Sequence, residues 1–332
     1  METTAQPGTA GKKPKQPFLT FKRQNNLTIF LFMLPAFLLF FVFIIYPMIQ
    51  SVYYSFFTWS GFGPATDFVG IKNYRDILAE VVNQVHSLLD PSFPKTDVIF
   101  GKALINGIII IVLSLTIQLP LSLALAIMVG RDLPGRVFFR MILFLPYVIS
   151  EVIAALAWLG LYNAEPKRGL INAILVLLPG VEPQSWLGNE SLVLPAIFVV
   201  LTWKWFGLHM LLFLAGLQSI PTEVEEAALI DGANRWQLIR YITIPMLANT
   251  IRTSVYLSVL GSMQQFVTVW ILTKGGPVNA SEVMATYMYR YSFTMFQLGY
   301  GSAVAIIMLL ISLVFSIGYL RIVRQPEYLG AQ

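Results

Sequence analysis

The chain has 332 residues, 56% of them hydrophobic and only 12% charged, where soluble domains carry roughly 25% charged residues. A soluble fold of that composition would expose large apolar patches, so the sequence predicts an integral membrane protein with short aqueous loops. The net charge of +5 comes without a basic stripe interleaved with aromatics, which argues against nucleic acid. Zero cysteines exclude disulfides and thiolate chemistry, and the two histidines, His86 and His209, have no carboxylate at ligand spacing, so no metal site is expected.

Residues 1–28 are rich in Gly, Pro, Lys, Gln and Thr and read as a disordered basic tail. The apolar run from Ile29 to Ile49 follows the basic stretch Lys12 to Arg23. It is longer than the roughly 7–15 residues of a signal-peptide core and has no small-residue cleavage site after it, so it is read as an uncleaved first span. Residues 29–332 then form one transmembrane domain with six apolar segments at about 29–50, 104–129, 139–162, 193–217, 250–272 and 299–321. Each approaches the ~20 residues needed to cross the hydrocarbon core. Prolines at 35, 47, 120 and 146 are tolerable there when neighbours satisfy the freed carbonyls. Small residues in the second span, such as Ser114, Ser122, Ala124 and Ala126, let helices approach closely.

With the amino terminus inside, the inner segments hold 13 of the 22 Lys and Arg residues and the outer segments 8, although the inner set is the shorter. That bias predicts an all-α, multi-pass protein of the cell membrane with both termini cytoplasmic.

Between spans four and five, over residues 219–245, the pattern turns amphipathic. Thr222 with Glu225 has capping-box spacing and Pro221 stands at the helix start. Glu223, Glu225 and Glu226 crowd the first turn, where the helix dipole favours acids. Val224, Ala227 and Ala228 share a face that leaves room for another surface, and Gly232 supplies a left-handed helix end. Asn234 and Gln237 repeat the capping-box spacing and start a second helix, Arg235 to about Tyr241. The segment is a cytoplasmic helix-turn-helix, either lying on the headgroups or held by a soluble partner.

Glu226-Ala-Ala, three residues, Gly232, nine residues, then Ile242-x-Ile244-Pro245 resembles the E-A-A-x3-G-x9-I-x-L-P coupling motif of ABC-importer permeases, with Ile244 where leucine is usual. Leu34-Pro35, Tyr46-Pro47, Phe68-Val-Gly-Ile-Lys-Asn-Tyr74, Leu145-Pro146-Tyr147, Leu214-Ala-Gly-Leu-Gln218 and Leu272-Thr-Lys-Gly-Gly-Pro277 extend the likeness over most of the chain. They are similar to one permease of the maltose and glycerol-3-phosphate importer family. The resemblance implies a six-transmembrane-helix permease whose Glu226, Ala227, Ala228, Asp231, Gly232, Ile242 and Pro245 engage an ATPase. It also implies a second permease, two copies of the ATPase subunit and an extracytoplasmic solute-binding protein that delivers a sugar or oligosaccharide.

No G-x-x-x-x-G-K-[ST], G-x-S-x-G or H-E-x-x-H is present. The chain is therefore read as a non-enzymatic subunit without a cofactor of its own, with ATP and Mg bound by the partner ATPase. Polar groups inside spans mark the substrate path. The candidates are Glu151, Thr202, Trp205, His209, Gly261, Ser262 and Gln265, with aromatic faces for sugar C–H surfaces and amides or hydroxyls for sugar hydroxyls. Glu151 and Lys204 are either an ion pair or solute contacts. Gln264 and Gln265 point ~100° apart on a helix, so one of them is expected to face the path. An ion-gradient-driven transporter, a membrane enzyme, and the same importer class carrying glycerol phosphate or a polyol are the alternative readings.

Overall fold

The computed structural model describes residues 21–90, 98–130 and 135–323, and these are predominantly helical. The tail expected over residues 1–28 falls outside the described residues up to position 20, and helix begins at Phe21, ahead of the expected start of the first span. Two units result, residues 1–50 and 51–332. The first contains α1 (Phe21–Phe40), a π turn over Phe41–Ile45 and the start of α2 (Tyr46–Tyr54). Phe32 and Phe43 are exposed, as side chains facing lipid are.

The second unit opens with a two-residue antiparallel hairpin, β1 (Phe57–Thr58) and β2 (Asp67–Phe68), in which Phe57 pairs with Phe68. An amphipathic helix, α3 (Lys72–Leu89), follows. The second span is α4 (Ile99–Leu113), a π turn over Ser114–Gln118, and α5 (Leu119–Gly130). Next come α6 (Arg136–Val148), α7 (Glu151–Leu161), the short α8 (Leu170–Leu175) and the long α9 (Val193–Gln218). After α9 lie α10 (Thr222–Ile230), α11 (Arg235–Leu238) and α12 (Ile244–Met246), with a π turn over Ile239–Thr243 between the last two. The chain ends with α13 (Ala248–Met263), α14 (Val267–Leu272), α15 (Met284–Tyr289) and α16 (Leu298–Ile322).

Among the described residues five helices are long and apolar enough to span a membrane. The segment expected as one span over 139–162 is instead α6 and α7 meeting at 96°, which makes a sixth span only if the pair is counted as one. Ile149 and Ser150 are extended at the joint. Only Ser150 and Glu151 interrupt the apolar run at the joint, too briefly for hydropathy to mark the bend.

Three of the four π turns share one cause. A helical proline cannot donate to the carbonyl four residues back, and its ring collides with that carbonyl, at a cost of ~3 kcal/mol or more. The carbonyls four residues before Pro47, Pro120 and Pro245 belong to Phe43, Thr116 and Tyr241, each the central residue of a π turn. In all three the residue before the proline bonds five residues back: Tyr46 N–H to Phe41 O, Leu119 N–H to Ser114 O, and Ile244 N–H to Ile239 O. One wide turn moves the obstructing carbonyl aside while the helix continues.

The core of this unit has three clusters. Tyr162, Ile197, Val200 and Val269 join α7, α9 and α14; Ile77, Phe100, Met263, Tyr287 and Val304 join α3, α4, α13, α15 and α16; and Ala126 meets Met210 and Phe213 between α5 and α9. One carboxylate ties α3 to α4, α15 and α16. Glu80 Oε2 accepts from the Phe100 N–H (2.7 Å), capping the start of α4, and Oε1 accepts from the hydroxyls of Tyr287 (2.7 Å) and Tyr300 (3.2 Å). Burial and the neighbouring Glu80 charge raise the pKa of Tyr287, so it stays a neutral donor. Glu80→Ala should lower the unfolding free energy of the detergent-solubilised protein by about 2–3 kcal/mol, because it leaves polar groups unpaired. Glu80→Gln, which keeps an acceptor, should cost less. Denaturant unfolding of the two variants measures the difference.

Candidate functional site: a mid-span cavity and an aqueous hairpin

The elbow between α6 and α7 is held from α9. Lys204 is 4% exposed, and its ammonium donates to the carbonyls of Pro146 (3.0 Å), Tyr147 (2.9 Å) and Ile149. These are carbonyls that a helix end leaves without partners, and a cation at that end is also favoured by the dipole. Close packing supports the arrangement: a Cβ added to Gly207 would meet Leu143 O at 2.7 Å, so α9 and α6 touch where only glycine fits.

The bend places Glu151 in the first turn of α7, not in mid-helix. Its Oε1 accepts from Gln265 Nε2 (2.9 Å) and Thr268 Oγ1 (2.8 Å). The ion pairs among the described residues do not include Glu151 with Lys204. Both charges are thus held by neutral partners, one by carbonyls and the other by an amide and a hydroxyl.

Beside this elbow lies a cavity of about 330 Å³ between α4, the following π turn, α9 and α13. Ile110, Leu201, Leu208, Leu257 and Leu260 form its apolar wall. Ser114, Gln118, Trp205, His209, Ser258, Ser262, Gln264 and Gln265 supply its polar groups, and no Asp, Glu, Lys or Arg among the described residues lines it. Three of its buried polar atoms have no partner: Trp205 Nε1, His209 Nδ1 and Ser258 Oγ. Unpaired buried groups of this kind cost ~1–3 kcal/mol each, a cost that a hydroxylated ligand or water in the cavity would relieve.

Five of the seven candidates for the path, Trp205, His209, Gly261, Ser262 and Gln265, line this one cavity. Glu151 stands one hydrogen bond behind Gln265, and Thr202 lies outside the lining with its hydroxyl buried and unpaired. Gln264 and Gln265 both line the cavity, against the expectation that only one would. The reason is that α13 ends at Met263, so the 100° rule does not apply beyond it. Ser114, Gln118, Ser258 and Gln264 are additions to the candidates. Gln118 was detectable as an amide inside an apolar span, whereas Ser114 reads as a packing residue until the π turn places it on the cavity wall.

The second feature is the hairpin of α10 and α11. Gly232, at φ +87°, closes it. The Gly232 N–H bonds Leu229 O (3.1 Å) and the Ala233 N–H bonds Ala228 O (3.0 Å), the paired bonds of a Schellman helix end. Asn234 and Gln237 form the expected capping box, each side chain accepting from the other's backbone N–H at 2.8–2.9 Å. The box expected from Thr222 and Glu225 is absent, because Pro221 occupies the cap position and has no side chain to bond.

Glu226 and Ala227 are exposed, Ala228 is buried within the chain, Asp231 caps the helix end, Ile242 is half-buried in the π turn and Pro245 is exposed. Leu229, Ile230, Trp236 and Tyr241 are also exposed, Ile230 at 85%.

Residues 118–326 match the family described as "Binding-protein-dependent transport system inner membrane component". The chain is 33% identical to the probable ABC transporter permease protein YurN of Bacillus subtilis, over 89% of this chain and 95% of the relative. It is 31% identical to the trehalose/maltose transport system permease protein MalF of Thermococcus litoralis, over 89% of this chain and 93% of the relative. Its fold matches a chain of the bacterial alginate ABC transporter solved in complex with alginate pentasaccharide-bound periplasmic protein, with a TM-score of 0.73 at 23% identity over 93% of this chain and 98% of that one. This chain belongs to the binding-protein-dependent inner membrane component family. It is a multi-pass permease subunit of an ABC transporter.

The elbow makes a testable claim. Lys204→Met should strand the carbonyls of Pro146, Tyr147 and Ile149 and lower stability by about 3 kcal/mol or more. Thermal unfolding in detergent measures it, and a midpoint equal to wild type would remove Lys204 from this role.

Proposed function

We propose that this chain forms half of the translocation path of an ATP-driven importer for an uncharged sugar or oligosaccharide, with α10 and α11 held by a partner ATPase. In this reading a second permease completes the path and two ATPase copies bind ATP and Mg. Both termini face the cytoplasm, as does the hairpin. One observation carries the coupling: the hairpin is closed by its own caps, yet Glu226, Ala227 and Ile230 are left exposed. A rigid, outward-facing unit of this kind passes on the motion of whatever grips it.

The cargo class follows from the cavity's charge. A phosphate or carboxylate ligand is best held by a cation, and Lys204, the one Lys or Arg deep within a span among the described residues, is already committed to three carbonyls. Glycerol phosphate is therefore the poorer reading. A neutral hydroxylated ligand fits the amides of Gln118, Gln264 and Gln265, the serine hydroxyls, and the aromatic face of Trp205. The name of the Thermococcus litoralis relative, a trehalose/maltose permease, supports the same class.

Gly232→Val places a β-branched residue at a left-handed position and should abolish uptake while leaving membrane insertion intact. Normal uptake in that variant would count against coupling through the hairpin. In cells, uptake should cease on ATP depletion and persist when ion gradients are collapsed. Trp205→Ala should reduce the maximal uptake rate about tenfold or more while ATPase assembly, read by co-purification, is unchanged.

A further inference from the structure

At the hairpin end of the chain a groove of about 370 Å³ lies between the first turns of α13 and the last turn of α16. It is lined by Asn249, Arg252, Thr253, Tyr256, Tyr319 and Leu320, with no acidic residue among the described ones. Arg252 is half-buried and takes part in none of the ion pairs among the described residues. Its guanidinium donates to Asn249 Oδ1 (3.2 Å). A guanidinium has five donors, so most of its hydrogen-bonding capacity remains available.

The walls of the groove are fixed. The Tyr319 hydroxyl donates to Arg252 O (2.8 Å), the Tyr256 hydroxyl donates to Ser316 Oγ (3.2 Å), and the rings of Tyr256, Phe315 and Tyr319 lie 5.6–6.1 Å apart. From the groove an apolar strip leads along the spans: Leu313, Ile317 and Leu320 share a face of α16. All three are exposed.

We propose that this groove binds an anionic glycerophospholipid, with Arg252 on the phosphodiester and one acyl chain along Leu320, Ile317 and Leu313. The site pairs a cation and hydroxyls at the end of two spans with an apolar strip along them, which is the division of polarity within a phospholipid. The headgroup preference follows from what the groove lacks. A choline or ethanolamine ammonium would find no carboxylate there and would sit near the Arg252 charge, whereas a glycerol headgroup finds the amide of Asn249 and the hydroxyl of Thr253. The site rests on α13 and α16 crossing the membrane and on nothing about coupling or cargo.

Native mass spectrometry of the full-length chain, purified in mild detergent with the subunits that accompany it, tests the assignment. Phosphatidylglycerol, phosphatidylcholine and inorganic phosphate are the probes. One phosphatidylglycerol should be retained per chain in preference to phosphatidylcholine. Arg252→Gln should reduce its occupancy roughly fivefold, the factor that ~1 kcal/mol per basic residue gives, and Lys72→Gln on the outer helix should not. Equal retention of the two lipids, undiminished binding in Arg252→Gln, or displacement of the lipid by millimolar phosphate would each overturn the proposal. Leu320→Trp offers a readout that leaves Arg252 intact: brominated phosphatidylglycerol should quench the added fluorescence more than brominated phosphatidylcholine, and equal quenching would also overturn it.

Discussion

Several irregular stretches of backbone among the described residues are closed by a buried polar side chain, because a backbone N–H or C=O shut away from water needs a partner within the protein. Lys204 closes the elbow between α6 and α7. Asn106 does the same for the loop after α14, donating to Ala280 O (3.0 Å) and Glu282 O (2.9 Å). Asn172, fully buried, donates to Asn163 O, Ala164 O and Gln184 O and accepts from the Gln184 N–H and Trp186 Nε1, so one side chain organises the whole connection from α7 to α9. The π turns ahead of Pro47, Pro120 and Pro245 meet the same demand by rerouting the backbone's own bonds.

The same constraint accounts for the neutrality of the cavity. Its neighbourhood contains a lysine and a glutamate, which the sequence leaves open as an ion pair or as solute contacts. Each is instead structural, Lys204 through three carbonyls and Glu151 through Gln265 and Thr268. Because Gln265 donates one amide N–H to Glu151, its carbonyl oxygen and its second N–H remain for a ligand. Glu151 thus influences the site by orienting a neighbour. What remains for a ligand is a set of neutral donors and acceptors on an apolar wall, with Trp205 edge-on to Tyr147 at 5.7 Å.

Much of this was legible in the sequence, and the residues that were not have a common explanation. The ends of α9 and α16, the hairpin closed by Gly232 and the Asn234–Gln237 box follow from local rules of periodicity and capping, which act over a few residues. The elbow did not, because its determinant is a lysine 55–58 positions away along the chain. The role of Glu80 was equally hidden, since its partners Phe100, Tyr287 and Tyr300 come from distant segments. At the cavity, rarity of polar residues inside spans singled out Trp205, His209, Ser262 and Gln265, which line it, and also Glu151 and Thr202, which do not, because that rule marks an unusual residue without saying which neighbour satisfies it.

The placement of the hairpin in the chain matters as much as its sequence. It is the connection between α9 and α13, the two helices that supply Trp205 and His209 on one side of the cavity and Ser258, Gly261 and Ser262 on the other. Its two ends are also clamped together. A Cβ on Gly216 would meet Thr250 Oγ1 at 2.5 Å and Leu247 Cδ2 at 2.8 Å, so the end of α9 and the start of α13 are in close contact just above the hairpin. In the proposed coupling, a rotation of α10 and α11 as a body would meet this clamp and pass up both helices together. The distance from hairpin to cavity would then be covered by two continuous helices and need no chain of side-chain rearrangements, the least costly way for a partner's motion to reshape a site in mid-span.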